Sequence, residues 1–228
     1  MNNLTNSTPA NKKLSAKLFI ATGCTHCPTI MNELSTLLKT GELASLSIDN
    51  VAVENESAAA LNIRSVPWFS LTNSLSSMIL AGNHTPSEIK KWVKLARTSE
   101  GMAEYIETFL AEGELMTVTQ AIQLSPETFT TVINMLENEE TSMHVRIGLD
   151  ALVENFTSSE ILKKHAEALK KMASQDNIRL QIDALHYLAL TGDKEHKKFL
   201  ETKTLDKEKQ IQEAALEALE TLADLIPD

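Results

Sequence analysis

The sequence predicts two kinds of architecture in one chain: a mixed α/β domain over residues 14–98 and an all-α array over 101–228. Three observations carry this. Up to about residue 97 the apolar periodicity switches between two and 3.6 residues, in the order βαβαββα. From Gly101 onward only the helical period remains. That helical half also repeats itself, with Asp150-Ala151-Leu152, Asp183-Ala184-Leu185 and Glu217-Ala218-Leu219 spaced 33 and 34 residues apart.

The elements follow in order. LSAKLFIAT is a short apolar run closed by a glycine, and reads as a strand. Over 25–39, Ile30, Met31, Leu34, Leu37 and Leu38 share one helical face. LASLSIDNVAV alternates as a strand does, and NESAAALNI is a short helix with Asn55 as its cap. SVPWFSLT and SSMILAGN are strands joined by a polar turn. TPSEIKKWVKLA places Thr85 at the N-cap, Pro86 at the first helical position and Glu88 three residues past the cap. Residues 1–13 are polar and are expected to form a flexible N-terminal segment, and TSEG at 98–101 is the expected domain boundary.

In the second half, Phe129, Val132, Ile133 and Leu136 form one stripe, and Val145, Leu149, Leu152, Val153 and Phe156 the next. Ile178, Ile182, Leu185 and Leu188 form a third, and Ile211, Ala215, Leu219 and Leu222 a fourth. Each repeat holds two helices, and the second carries the D/E-A-L core, in which the small Ala admits a close neighbour. Residues 101–124 read as a degenerate first pair that caps the stack. These units resemble HEAT-like repeats of the short type, which implies an α-solenoid with a protein-binding surface. Arg146/Asp150 and Arg179/Asp183 fit the polar ladder of such repeats, while the third unit has Glu213 and Glu217 in those places. Tetratricopeptide repeats share the period, but their aromatic signature is missing here.

The 228 residues are 43 % hydrophobic, enough for real cores, and carry a net charge of −10. Acidity of this degree repels nucleic acid and anionic membrane surfaces, so neither is an expected partner. No apolar run reaches the length of a membrane span, and LSAKLFIA, broken by Lys17, lacks the character of a signal peptide. A cytoplasmic protein is expected, in which a disulfide cycles rather than staples.

Both cysteines of the chain lie in ATGCTHCPT, as Cys24 and Cys27, with His26 between them and Pro28 after. Cys24 falls where the first strand gives way to the first helix. Unpaired N–H groups and the positive end of the helix dipole favour a thiolate there, lowering its pKa from about 8.5. His26 would push the same way. Cys27, one turn on, is close enough to bridge. Three other uses of the pair stand beside a redox role: a zinc site recruiting distant histidines, a metal or iron–sulfur cluster shared by two chains, and two inert buried thiols. No second C-x-x-C and no H-x-x-x-H is present to complete a zinc site, and no metal or other cofactor is expected.

A C-x-x-C at a strand-to-helix turn within βαβαββα, with Val66-Pro67 heading a strand about 40 residues later, resembles the thioredoxin-like domains. CTHCP, SIDN and VENESAAALNIRSVPWF are most similar to the N-terminal dithiol domain of the alkyl hydroperoxide reductase flavoprotein subunit and its glutaredoxin-like relatives. The resemblance implies that Cys24 is the nucleophile and Cys27 the resolving thiol. It also implies that Pro67 is cis and faces the dithiol, and that the Val66 backbone pairs with the substrate chain. Trp68 stands either in the core or facing the substrate. Leu18 occupies the place where typical thioredoxins keep a buried acid, and Gly23 the place of their tryptophan. No G-x-G-x-x-G is present, so the dithiol depends on an external reductase or glutathione system.

Of the remaining residues, Trp92 reads as core and His84 as a solvated loop residue, while His144, His165 and His186 are spread over three helices without ligand spacing. The expectation is a thiol–disulfide oxidoreductase acting on disulfide- or dithiol-bearing proteins, with a further protein partner on the repeats. Its rival is a non-enzymatic interaction scaffold or redox sensor built on the same docking domain.

Overall fold

The computed structural model describes residues 13–226, so the N-terminal segment expected to be flexible lies, apart from Lys13, outside the described residues. The chain divides into two compact units. One holds the described residues up to Tyr105 together with Gln120–Thr128, and the other holds Ile106–Thr119 and the described residues from Phe129 onward.

The first unit is built on β1 (Ser15–Ile20), α1 (Cys27–Lys39), β2 (Ser45–Asn50), α2 (Asn55–Ala60), β3 (Trp68–Thr72), β4 (Ser77–Ala81) and α3 (Pro86–Leu95). The strands form one open mixed sheet in the order β2-β1-β3-β4. β1 and β2, joined through α1, run parallel, whereas β1–β3 and β3–β4 are antiparallel. Central β1 and β3 bury Leu18, Phe19, Phe69 and Leu71, while β2, at the edge, buries none of its side chains. The Asn73 carboxamide oxygen accepts from the N–H groups of Leu75 (2.8 Å) and Ser76 (3.1 Å), which fixes the turn between β3 and β4. α3 starts with a complete capping box. The Glu88 N–H donates to Thr85 Oγ1 (3.3 Å), and Glu88 Oε2 accepts from the Thr85 N–H (2.7 Å) and hydroxyl (2.9 Å), two bonds that hold the carboxyl below its usual pKa. α2 is capped by Glu54, one residue ahead of the expected Asn55, and that cap makes no side-chain bond.

This unit runs beyond the 98–101 stretch, where α4 (Ser99–Ala111) begins without a linker. The Tyr105 phenol, fully buried, donates to the Ile79 carbonyl (2.9 Å) and accepts from the Ile79 N–H (3.0 Å). Its ring stands edge-on to Trp92 at 5.8 Å, placing Trp92 in the core. After α5 (Leu115–Leu124), a 3-10 turn at Pro126–Thr128 brings in Thr128, whose Oγ1 accepts from the Ser77 N–H at 3.3 Å.

The second unit continues with α6 (Phe129–Glu137), α7 (Met143–Glu154), α8 (Glu160–Lys163), α9 (Ala166–Met172), α10 (Ile178–Leu190), α11 (Lys197–Lys203) and α12 (Lys209–Leu225). The three D/E-A-L signatures fall on α7, α10 and α12. α6–α7, α9–α10 and α11–α12 pack as pairs, and α10 also packs against α7 and α12. With neighbours on several sides, α10 buries a wider arc than its predicted stripe. Leu180, Ala184 and Tyr187 are buried beside Leu185 and Leu188, whereas Ile178 and Ile182 are only half-buried. Gly148 on α7 lets Leu110 pack closely, since a Cβ there would lie 3.1 Å from the Leu110 side chain. The Arg146 guanidinium, buried, donates to the Leu136 carbonyl (3.1 Å), to the Asn138 carbonyl and to the Thr141 carbonyl (3.2 Å). It thereby caps the C-terminal end of α6. Among the described ion pairs none joins Arg146 to Asp150 or Arg179 to Asp183, and Asp150 instead accepts from the Tyr187 hydroxyl of the next repeat.

Candidate functional site

Cys24 lies in the loop between β1 and α1, and Cys27 is the first residue of α1. Gly23, just before, has φ +82°, a left-handed conformation that suits glycine, and the Cys24 N–H turns back to the Ala21 carbonyl at 3.2 Å. Cys24 and Cys27 are joined by a disulfide with their Cα atoms 5.5 Å apart. Their environments differ. Cys24 is half-buried, whereas Cys27 is 4 % exposed.

The first turn of α1 meets this bridge. His26 occupies the N-cap but makes no side-chain capping bond, and Pro28 sits in the first turn, where no N–H is needed. The Cys27 N–H donates to Cys24 Sγ at 3.1 Å, so the sulfur takes a donor that a capping oxygen would otherwise satisfy. The His26 side chain is exposed beside the bridge.

The register of the sheet brings a second segment to the same end. Phe19 pairs with Trp68, so Pro67 stands at the next position, opposite Ile20, where β1 leads into the Cys24 loop. The Val66–Pro67 peptide bond is cis, Pro67 is buried, and its carbonyl accepts from the Gly82 N–H at 2.8 Å. Val66 is half-buried. Of the two places left open for Trp68, the structure shows the core. It is 4 % exposed and stacks edge-on against Phe19 with centroids 5.6 Å apart. Leu18, fully buried, pairs with Phe69.

His84 is not the solvated loop residue that the sequence suggests. It is half-buried, its ring stands edge-on to Phe69 at 5.8 Å, and its Nε2 is buried without a hydrogen-bond partner. Because Trp68 pairs with Ala81, the loop after β4 that carries His84 returns to the end of the sheet that holds Pro67. Only the hairpin register reveals this, and no spacing in the sequence signals it.

His144 and His186 are exposed, and His165 packs on Phe129 at 5.1 Å. Among the described residues no group of three or more His, Cys, Asp or Glu side chains is arranged to hold a metal ion. No described helix is long and apolar enough to cross a membrane. No protein-family model matches the chain, and no curated protein matches it.

Proposed function

We propose that the chain is a thiol–disulfide oxidoreductase whose first unit is a thioredoxin-like domain and whose second is a HEAT-like solenoid that holds a protein partner. The observation that carries this is the unequal pair at the head of α1: a half-buried Cys24 whose sulfur already accepts a helix N–H, bridged to a buried Cys27.

The reduced Cys24 thiolate attacks a substrate disulfide. One substrate thiolate leaves, and a mixed disulfide forms on Cys24. Cys27 then loses its proton and attacks Cys24 Sγ, expelling the second substrate thiolate and closing the Cys24–Cys27 bridge. Two electrons have passed from the dithiol to the substrate. An external dithiol, from a reductase or the glutathione system, returns them in a reducing compartment such as the cytoplasm. The Val66 backbone, beside Pro67, offers its polar groups to the substrate chain as it docks, with Trp68 packed beneath. His26, exposed next to the bridge, tunes the pair.

The test is turnover of a protein disulfide by the full chain with dithiothreitol as donor. Cys24→Ser abolishes turnover, whereas equal turnover by that variant would sink the reading. A wild-type chain without turnover, whose partner binding nonetheless changes with the oxidation of the bridge, would replace catalysis with redox sensing.

A further inference from the structure

The second unit contains a cavity of about 310 Å³ lined by α7, α10 and α12. Three of its wall residues are the acidic members of the repeated signature: Asp150 on α7, Asp183 on α10 and Glu217 on α12. Glu154, one turn past Asp150, adds a fourth carboxylate, while Ile182 and Ala218 supply apolar wall. The repeat therefore stacks like charges where successive helices meet, an arrangement that costs energy unless a cation offsets it.

The chain offsets it only in part. None of the described ion pairs involves these four residues. Arg146 is committed to the carbonyls that end α6, and Asp150 takes a neutral donor, the Tyr187 hydroxyl. The third repeat has Glu213, paired with Lys209 at 3.2 Å, where the first two have Arg146 and Arg179, so it brings no arginine of its own to the stack. Burial, and then the neighbouring Asp150, hold the Asp183 carboxyl above its usual pKa in spite of Arg179, Arg146 and His186, the last of which also lines the cavity.

The missing charge is positive, and the surroundings define its carrier. Carboxylates spread around a cavity this wide do not converge on a point, as a metal ion would require. A guanidinium or ammonium group on an apolar stem fits, with the stem on Ile182 and Ala218 and the head among the acids. Residues 143, 147, 150 and 154 follow one helical stripe, so the acidic wall of α7 continues into Ile147 and Met143, which are 62 % and 66 % exposed. Apolar ground beside a cation pocket suits the residues that flank a basic side chain in a polypeptide. We propose that this cavity receives an arginine or lysine side chain of a partner protein, whose neighbouring apolar residues lie on Met143 and Ile147. The proposal does not rest on the dithiol reading, and the two fail separately.

The test is fluorescence anisotropy on the full chain with a labelled, blocked peptide of alternating Leu and Arg, and with its citrulline counterpart, which keeps the shape and loses the charge. The Arg peptide binds, and binding weakens as salt rises. The citrulline peptide binds at least about tenfold more weakly, and Asp183→Asn and Glu217→Gln each weaken the Arg peptide about fivefold or more. Ile147→Ser also weakens it. Glu201→Gln, which removes an exposed acid of α11 outside the cavity, does not. In the free chain Asp183→Asn keeps or raises Tm at neutral pH, because it removes a carboxylate whose ionisation the fold opposes, so its weaker binding is not unfolding. Four results would each overturn the proposal: equal binding of both peptides; an equal loss in Glu201→Gln, which would mean mere net charge; spermidine binding more tightly than the peptide; and no binding of the Arg peptide at about 1 mM.

Discussion

Cys24 and Cys27 differ in what can reach them. Cys24 is half-buried and Cys27 buried, so on the proposed reading an incoming disulfide meets Cys24, and Cys27 attacks only its neighbour. The Cys27 N–H, 3.1 Å from the Cys24 sulfur in the bridged state, is a donor at a helix N-terminus that would favour a Cys24 thiolate once the bridge is reduced. With the bridge reduced, iodoacetamide therefore modifies Cys24 well before Cys27. The pH dependence of that rate has its midpoint below about 8.5, the value of a free thiol. If Cys27 is the resolving thiol, as proposed, Cys27→Ser accumulates the mixed disulfide with a substrate. Accumulation in Cys24→Ser instead would reverse the two roles. The spacing of this pair was legible because both thiols fall within a single turn of chain. The inward Trp68 and the position of His84 were not, since each depends on which residue of a distant strand lies opposite.

At the scale of elements, the periodicities foretold a mixed sheet and a run of helices because each reports burial along one segment. They could not report packing between segments. Two neighbours of α10 widened its buried arc past the predicted stripe, and Arg146 turned to the carbonyls ending α6 rather than to Asp150. The 98–101 stretch looks like a linker because it is polar. Yet Tyr105, four residues past it, satisfies both backbone groups of Ile79 inside the sheet unit. Tyr105→Phe leaves that buried N–H and carbonyl short of a partner while keeping the ring against Trp92, so it destabilises the first unit by about 1–3 kcal/mol. Urea unfolding of the full chain, followed by Trp fluorescence, checks this, since Trp68 and Trp92 both lie in that unit. An unchanged midpoint would mean that the Tyr105 hydroxyl bonds to Ile79 do not contribute to the unit's stability.

Over the whole molecule, a net charge of −10 makes the folded chain repel itself, and mild acid relieves that repulsion as carboxylates take up protons. Asp183 acts in the same sense. Its folded pKa lies above 3.8, so the cost of ionising it is removed as pH falls through the folded value. His196 acts against both. It is 5 % exposed, and its Nδ1 is buried without a partner. Burial first, and then Lys170 on α9, lower its pKa below 6.5, while Asp193, Glu195 and Glu167 partly restore it. The unfolded chain then binds more protons than the folded one just below pH 6.5, so stability is lost as pH falls from there and stops falling beneath the folded pKa. Tm of the full chain, measured between about pH 7.5 and about pH 5.5, is expected to decline in that window despite the relief of net charge. His196→Gln reduces the decline whatever it does to Tm itself. Lys170→Gln also reduces it, by removing a charge that opposes protonation of His196. The same slope in wild type and His196→Gln would assign the acid sensitivity elsewhere.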